Sequence, residues 1–162
     1  MAVVSPASPA GLYLILKVLS GPDAGRLVEL TSGQIVYVGR DPSLERTKRS
    51  DTPLFEPNTK QLDRIEEFLE GRTPGFNDPE RTQPGYRPRL EKLRRIADVR
   101  LVDGTVSRVH AAFYVEEGRA GVVDLASTNG TTVNGRKVSA SFIEPGDQVV
   151  LGNIRMEVVG LG

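Results

Sequence analysis

The sequence predicts an all-β fold: an antiparallel β-sandwich interrupted by a mostly helical insertion. Three observations carry this. Short apolar and β-branched runs occupy both ends of the chain. Turn signals separate the later runs, among them Asp103-Gly104, Glu117-Gly118, Asn129-Gly130, Asn134-Gly135 and Pro145-Gly146-Asp147, at a spacing that suits a sandwich or barrel. Between these two regions, residues 41–97 hold seven of the eleven prolines and few β-branched residues.

Residues 1–11 carry Ser5, Pro6, Ser8 and Pro9 and read as a flexible tail. The sandwich is assigned to 12–162. Leu12 to Leu19 is apolar apart from Lys17, as suits a buried strand. Gly21-Pro22-Asp23-Ala24-Gly25 supplies the turn, and Arg26 to Leu30 alternates charged and apolar residues. Ile35 to Val38 is the third strand. After the insertion, strands are predicted at Val99–Val102, Ala111–Val115, Gly121–Leu125, Thr131–Val133, Gln148–Leu151 and Ile154–Val159.

Two insertion segments read as short helices. In the first, Asn58 caps, Gln61 completes a capping box, Leu62, Ile65 and Leu69 share a face, and Gly71 stops the helix. In the second, Pro88 takes the first helical position. Leu90, Leu93 and Ala97 line one side with Ile96 beside them, and Arg94 and Arg95 fall in the last turn, against the helix dipole. Neither is long enough to stand alone. They are expected to pack on each other or on the sandwich, with residues 73–87 as a mobile connector.

Composition narrows the function classes. Lys plus Arg and Asp plus Glu are both 21, giving zero formal charge, which argues against a polyanion binder with a broad basic face. A small pocket for a single phosphate remains compatible. The chain has no cysteine, so disulfides and Cys/His zinc sites are excluded and a cytoplasmic setting fits. No apolar run approaches the length of a membrane span, and the N-terminus lacks the pattern of a secretory signal. No specific nucleic-acid or membrane partner is expected.

The candidate chemistry lies in two loops and one strand end. Ser107-Arg108-Val109-His110 contains the only histidine, and Ser127-Thr128-Asn129-Gly130 follows the next strand pair. Far upstream, Gly39-Arg40 ends a strand. A phosphate monoester presents nearly two charges and three acceptor oxygens. An arginine fork, a serine hydroxyl and loop N–H groups match it. Arg40, Ser107 and Thr128 supply that set if their loops gather at one end of the sandwich. Asn129 offers an amide donor and acceptor to an extended peptide. Plainer readings stand beside these: Ser107 as a turn cap, Arg40 and Arg108 as solvated arginines, His110 as a structural residue. Asn134-Gly135 is assigned to a hairpin turn.

An enzyme is not expected. Ser107, His110 and Asp124 form a triad only on paper. Ser and His three residues apart on a tight loop seldom align, and no nucleophile elbow or GxxxxGK[ST] loop is present. No cofactor is indicated, and the lone His has no partner set for a metal.

The order GR … SRVHA … STNGTTVNG, with Glu144-Pro145-Gly146-Asp147 and Leu151-Gly152-Asn153-Ile154-Arg155 behind it, resembles the forkhead-associated (FHA) domain. The likeness covers nearly everything from Leu12 to Gly160 except the insertion. It implies a sandwich of about eleven strands that reads phosphothreonine in a peptide and recruits phosphorylated partners in Ser/Thr kinase signalling. By that resemblance Arg40 and Ser107 hold the phosphate with Thr128 assisting, and Arg108 and Asn129 contact the peptide main chain. Gly39 and His110 shape the site. The expected partner is a phosphothreonine-containing protein or peptide, a Ser/Thr kinase or its substrate. The alternative is a phosphate-independent structural or assembly module on the same fold.

The family usually connects these strands by a short loop, so the insertion after Arg40 is a departure. Three roles compete for it. It is a packed decoration, tolerated as loop insertions are; or an added recognition surface through Arg87, Arg89, Lys92, Arg94 and Arg95; or a self-regulatory segment. In the last, phosphorylation of Thr47, Thr52, Thr59, Thr73 or Thr82 would lead to docking in its own or a neighbouring pocket and so to self-association.

Overall fold

In a computed structural model the described residues are 13–42, 55–74 and 85–161. The chain begins with β1 (Tyr13–Val18), β2 (Leu27–Thr31) and β3 (Gln34–Arg40). The insertion contributes α1 (Thr59–Leu69) and the single turn α2 (Pro88–Glu91). There follow β4 (Arg94–Arg95), β5 (Val99–Leu101), β6 (Ala111–Glu116), β7 (Arg119–Asp124) and β8 (Thr131–Val133). Last come β9 (Arg136–Val138), β10 (Ala140–Ile143), β11 (Gln148–Leu151) and β12 (Ile154–Leu161).

These strands make two sheets. The first runs β2-β1-β12-β11-β8-β9. The second runs β10-β7-β6-β3, and both β4 and β5 pair with the remaining edge of β3 in parallel. The fold is therefore the predicted β-sandwich, with twelve strands among the described residues.

Alternation explains the first core. Leu14, Leu16 and Val18 of β1 point inward while Lys17 faces solvent, as the two-residue period of a strand requires. They meet Val36, Val38, Phe113, Val115, Val122, Leu151, Met156 and Val158 between the sheets. β3 and β6 do not alternate: Ile35 through Gly39 and Ala111 through Val115 are all buried. The insertion is the reason. Ile65, Leu69 and Phe55 cover Ile35, Tyr37, Ala112, Tyr114 and Val123 on the outer face of the second sheet, so the molecule has three layers, sheet on sheet on helix.

α1 follows its sequence closely. The Asn58 side chain accepts the Gln61 amide at 2.8 Å, and Gln61 Oε1 accepts the Asn58 amide at 2.8 Å. Gly71 takes φ +84° beyond the last turn, a backbone state that glycine tolerates best. Buried Glu66 accepts the amides of Leu90 (2.8 Å) and Arg89 (3.4 Å), tying α2 to α1.

The second predicted helix differs. It lasts one turn, after which Arg94 and Arg95 form a strand beside Gln34 and Ile35. Arg94 N donates to Gly33 O at 2.7 Å and Ile96 N to Ile35 O at 2.9 Å. Unmet donors and acceptors on the β3 edge outweigh the weak propensity of a short helix. The arginines consequently do not face a helix dipole. Arg95 instead donates to both oxygens of Asp98 (2.9 and 3.1 Å) and to Phe55 O (2.7 Å), and its guanidinium lies 4.6 Å from the centre of the Tyr37 ring.

The proposed basic recognition cluster is also changed by pairing. Arg87 bonds Asp63 at 2.8 Å, Arg89 reaches Glu116 at 3.0 Å and Glu117 at 3.1 Å, and Arg95 is held by Asp98. Arg89 and Arg95 fasten the insertion to the sandwich, while Arg87 ties the second helix to the first within it. Residues 1–11, Thr47, Thr52, Thr82 and most of the 73–87 connector lie outside the described residues. Among the described residues no helix is long and apolar enough to cross a membrane.

Candidate functional site

Arg40 is the last residue of β3, and its main chain continues the sheet into the 105–110 loop. Its N–H donates to Ser107 O at 2.9 Å, and Nη1 donates to Val106 O at 3.3 Å. Asp41 N closes the corner on Leu101 O at 2.8 Å. The arginine at position 40 and the serine at 107, 67 residues apart in sequence, are thus immediate neighbours.

Gly39 is required by this approach. A Cβ there would stand 1.9 Å from the carbonyl oxygen of Arg108 and 3.2 Å from the Phe55 ring. The loop lies directly on the strand, which only a residue without a side chain permits. Val109 turns into the second core while Arg108 stays exposed.

His110 is completely buried and spans the two loops. Its Nδ1 accepts the Ser107 amide at 3.0 Å, and its Nε2 is 2.9 Å from Gly130 O. Since Nδ1 accepts, Nε2 carries the proton and donates. Burial pushes the imidazole below its usual pKa, against the Gly130 carbonyl and the Asp124 charge, which raise it. The ring is a neutral brace.

The second loop is held from below by Asp124. Its carboxylate accepts Ser127 Oγ at 2.6 Å, Ser127 N at 3.2 Å and Thr131 Oγ1 at 2.7 Å. Ser127 Oγ in turn accepts Gly130 N at 2.9 Å. The loop turns through Ala126 (φ 60°) and Gly130 (φ 87°).

Thr128 N donates to Ser107 Oγ at 2.9 Å. The serine hydroxyl therefore accepts within the site, and its own proton is left to donate elsewhere. Asn129 Nδ2 donates to Thr105 O at 2.8 Å, leaving Oδ1 as an acceptor at the exposed rim. Gly39, Arg40, Ser107, Arg108, His110, Thr128 and Asn129 thus gather at one end of the sandwich. Asn134-Gly135 forms a separate turn with φ 52° and 85°, and Asn134 serves Asp147 and Gln148 rather than the site.

Sequence reasoning missed Asp124 and Ser127 as loop braces. It also missed Gln61 and Arg64 of α1, which donate to the carbonyls of Leu125 (2.9 Å) and Asp124 (3.0 Å). No sequence signal joins positions sixty residues apart, but the Asp124–Ser127 spacing is that of a local side-chain-to-backbone turn. Among the described residues no group of three metal-ligating side chains stands together.

Comparison with known proteins agrees with this architecture. The family model of the FHA domain matches residues 91–152. The oxoglutarate dehydrogenase inhibitor of Corynebacterium glutamicum is 43% identical over 60 residues, 37% of this chain and 42% of its own length. The glycogen accumulation regulator GarA of Mycolicibacterium smegmatis is 45% identical over 60 residues, 37% of this chain and 38% of its own. The match to these curated relatives spans less than half their length. In three dimensions the FHA domain of the CT664 protein from Chlamydia trachomatis superposes with a TM-score of 0.54 at 23% identity, over 91% of this chain and 96% of that one. The FHA domain of an Arabidopsis thaliana hypothetical protein gives 0.55 at 16%, over 100% and 94%. Both likenesses concern the fold.

Proposed function

We propose, from an FHA-type sandwich as premise, that this protein binds phosphothreonine in an extended peptide and recruits phosphorylated proteins. The observation that supports it best is the junction of Arg40, Ser107 and Thr128. Arg40 N bonds Ser107 O at 2.9 Å, and Thr128 N bonds Ser107 Oγ at 2.9 Å. In this reading Arg40 and the Ser107 hydroxyl hold the phosphate and Thr128 assists. Arg108 and Asn129 take the peptide main chain, and Gly39 and His110 keep the loops in register.

The chemistry is binding without turnover. Charge-assisted bonds from a guanidinium satisfy two phosphate oxygens at once, and hydroxyl and loop donors take the third. His110 is buried, neutral and committed on both nitrogens, which suits a brace and not a general base. The relatives are named as an inhibitor and a regulator. By analogy this protein acts by docking onto a phosphorylated enzyme, kinase or kinase substrate.

The test compares phosphothreonine, phosphoserine and unmodified peptide libraries on wild type, Arg40→Ala and Ser107→Ala. Binding should require phosphate, favour threonine and fall in both variants. Binding indifferent to phosphate and to both substitutions would favour a phosphate-independent assembly module.

A further inference from the structure

The insertion does more than cover the second sheet. Gln61 and Arg64 lie about one helical turn apart on α1, and both reach main chain entering the 126–130 loop. Gln61 Nε2 donates to Leu125 O at 2.9 Å and Arg64 Nε to Asp124 O at 3.0 Å. Gln61 is pre-aimed, because its Oε1 already accepts the Asn58 amide at 2.8 Å. Both bonds are partly shielded from water, and Ile65 and Leu69 anchor the helix in the second core.

From those carbonyls a few residues of main chain, pinned by hydrogen bonds, lead to the ligand loops. The Asp124 carboxylate holds Ser127 and Thr131, and Thr128 N meets Ser107 Oγ. The loop also contains Ala126 at φ 60°, a conformation that needs its surroundings to maintain it. A loop left unbraced would have to be ordered when a ligand arrives, at a cost to affinity.

We propose that α1 is a strut for the ligand loop and that Gln61 and Arg64 are positioning residues for phosphopeptide recognition, acting without touching the ligand. This rests on the phosphothreonine reading of the site. The insertion then belongs to the recognition apparatus through its first helix.

The experiment uses Gln61→Glu together with Arg64→Met in the full chain. Glutamate keeps the acceptor that completes the capping box and loses the donor to Leu125. Methionine keeps an unbranched apolar stem and loses the donor to Asp124. The probe is a phosphothreonine peptide selected from a degenerate library with wild-type protein, and Arg40→Ala is measured beside it. The double variant should bind about tenfold more weakly, consistent with two modest hydrogen bonds lost. Amide exchange should quicken at 126–130 and stay unchanged at 149–151, with the thermal midpoint nearly preserved. Wild-type affinity in the double variant, with binding lost in Arg40→Ala, overturns the strut and leaves the site reading intact. Loop exchange unchanged from wild type overturns it too. If Arg40→Ala binds as wild type, the phosphate reading itself fails and the inference goes with it.

Discussion

The amide of Ser107 donates to Nδ1 of His110 at 3.0 Å, three residues along the same loop. That bond fixes the imidazole tautomer and leaves Nε2–H for the Gly130 carbonyl at 2.9 Å. One buried ring therefore sets the distance between the loop that offers Ser107 and the loop that offers Thr128.

Replacing His110 by alanine should leave the Ser107 amide and the Gly130 carbonyl without partners in a buried space. A loss of about 2–4 kcal/mol is expected from the unpaired groups and the cavity together. Chemical denaturation measures it, and a loss below about 0.5 kcal/mol would contradict the bracing role.

The same ring gives a pH dependence. Its folded pKa lies below the ordinary value, so the unfolded chain takes up the proton first. The stability it contributes is present above about pH 6.5 and is lost as pH falls through the folded pKa. Lowering the pH from 7.5 should therefore erode the stability advantage of wild type over a His110→Gln variant, read as the difference between their denaturant midpoints.

Glu66 acts in the opposite sense. Burial, aided by a hydrogen bond to Glu70, raises its carboxyl to about 7, so the charged form is disfavoured in the folded state. Stability from this group is greatest below its unfolded value near 4.5 and is lost as pH rises through about 7. Glu66→Gln keeps an acceptor for the Leu90 amide and removes the charge. At pH 8 it should be at least as stable as wild type, by up to roughly 2 kcal/mol, with a flatter profile between pH 5 and 8.

Gly39→Ala should be among the most damaging substitutions of a small residue. A methyl group 1.9 Å from the Arg108 carbonyl must displace the loop or the strand. A loss of about 2 kcal/mol or more is expected, together with peptide binding. Normal stability and affinity would mean that the two segments separate easily in solution.

Arg40→Ala should separate binding from folding. The side chain is half-exposed and its bond to the Val106 carbonyl is long, 3.3 Å. Thermal stability should change by less than about 1 kcal/mol. Phosphopeptide affinity should fall at least thirtyfold, about the cost of losing a charge-assisted pair, read by calorimetry.

Much of this was written locally in the chain. The strands of the two ends, the Asn58–Gln61 box and the Asn134-Gly135 turn depend on neighbours within a few residues. β9 and β10 escaped notice because they are edge strands of three and four residues, too short for Arg136-Lys137-Val138 or Ala140-Ser141-Phe142-Ile143 to show a period. β4 could not be read at all. Its two arginines are strand only because β3 lies beside them, and a tertiary ladder overrode the local preference for helix. The site residues were legible as a set of loop signatures, whereas their braces, Asp124 below and Gln61 and Arg64 from the helix, come from contacts that sequence spacing does not encode.

The parallel pairing of β4 and β5 along β3 also bears on how the protein avoids its own copies. A long, apolar strand such as β3, left open, offers a row of free amides and carbonyls to any passing chain. Here two short pieces occupy that row in succession, Arg94–Arg95 and then Val99–Leu101, with an interruption at residues 96–98. The new outer margin is short, broken and arginine-bearing, a poor template for fibre growth or strand exchange. The inserted segment thus returns the chain to the strand it left and blunts an edge that would otherwise invite aggregation.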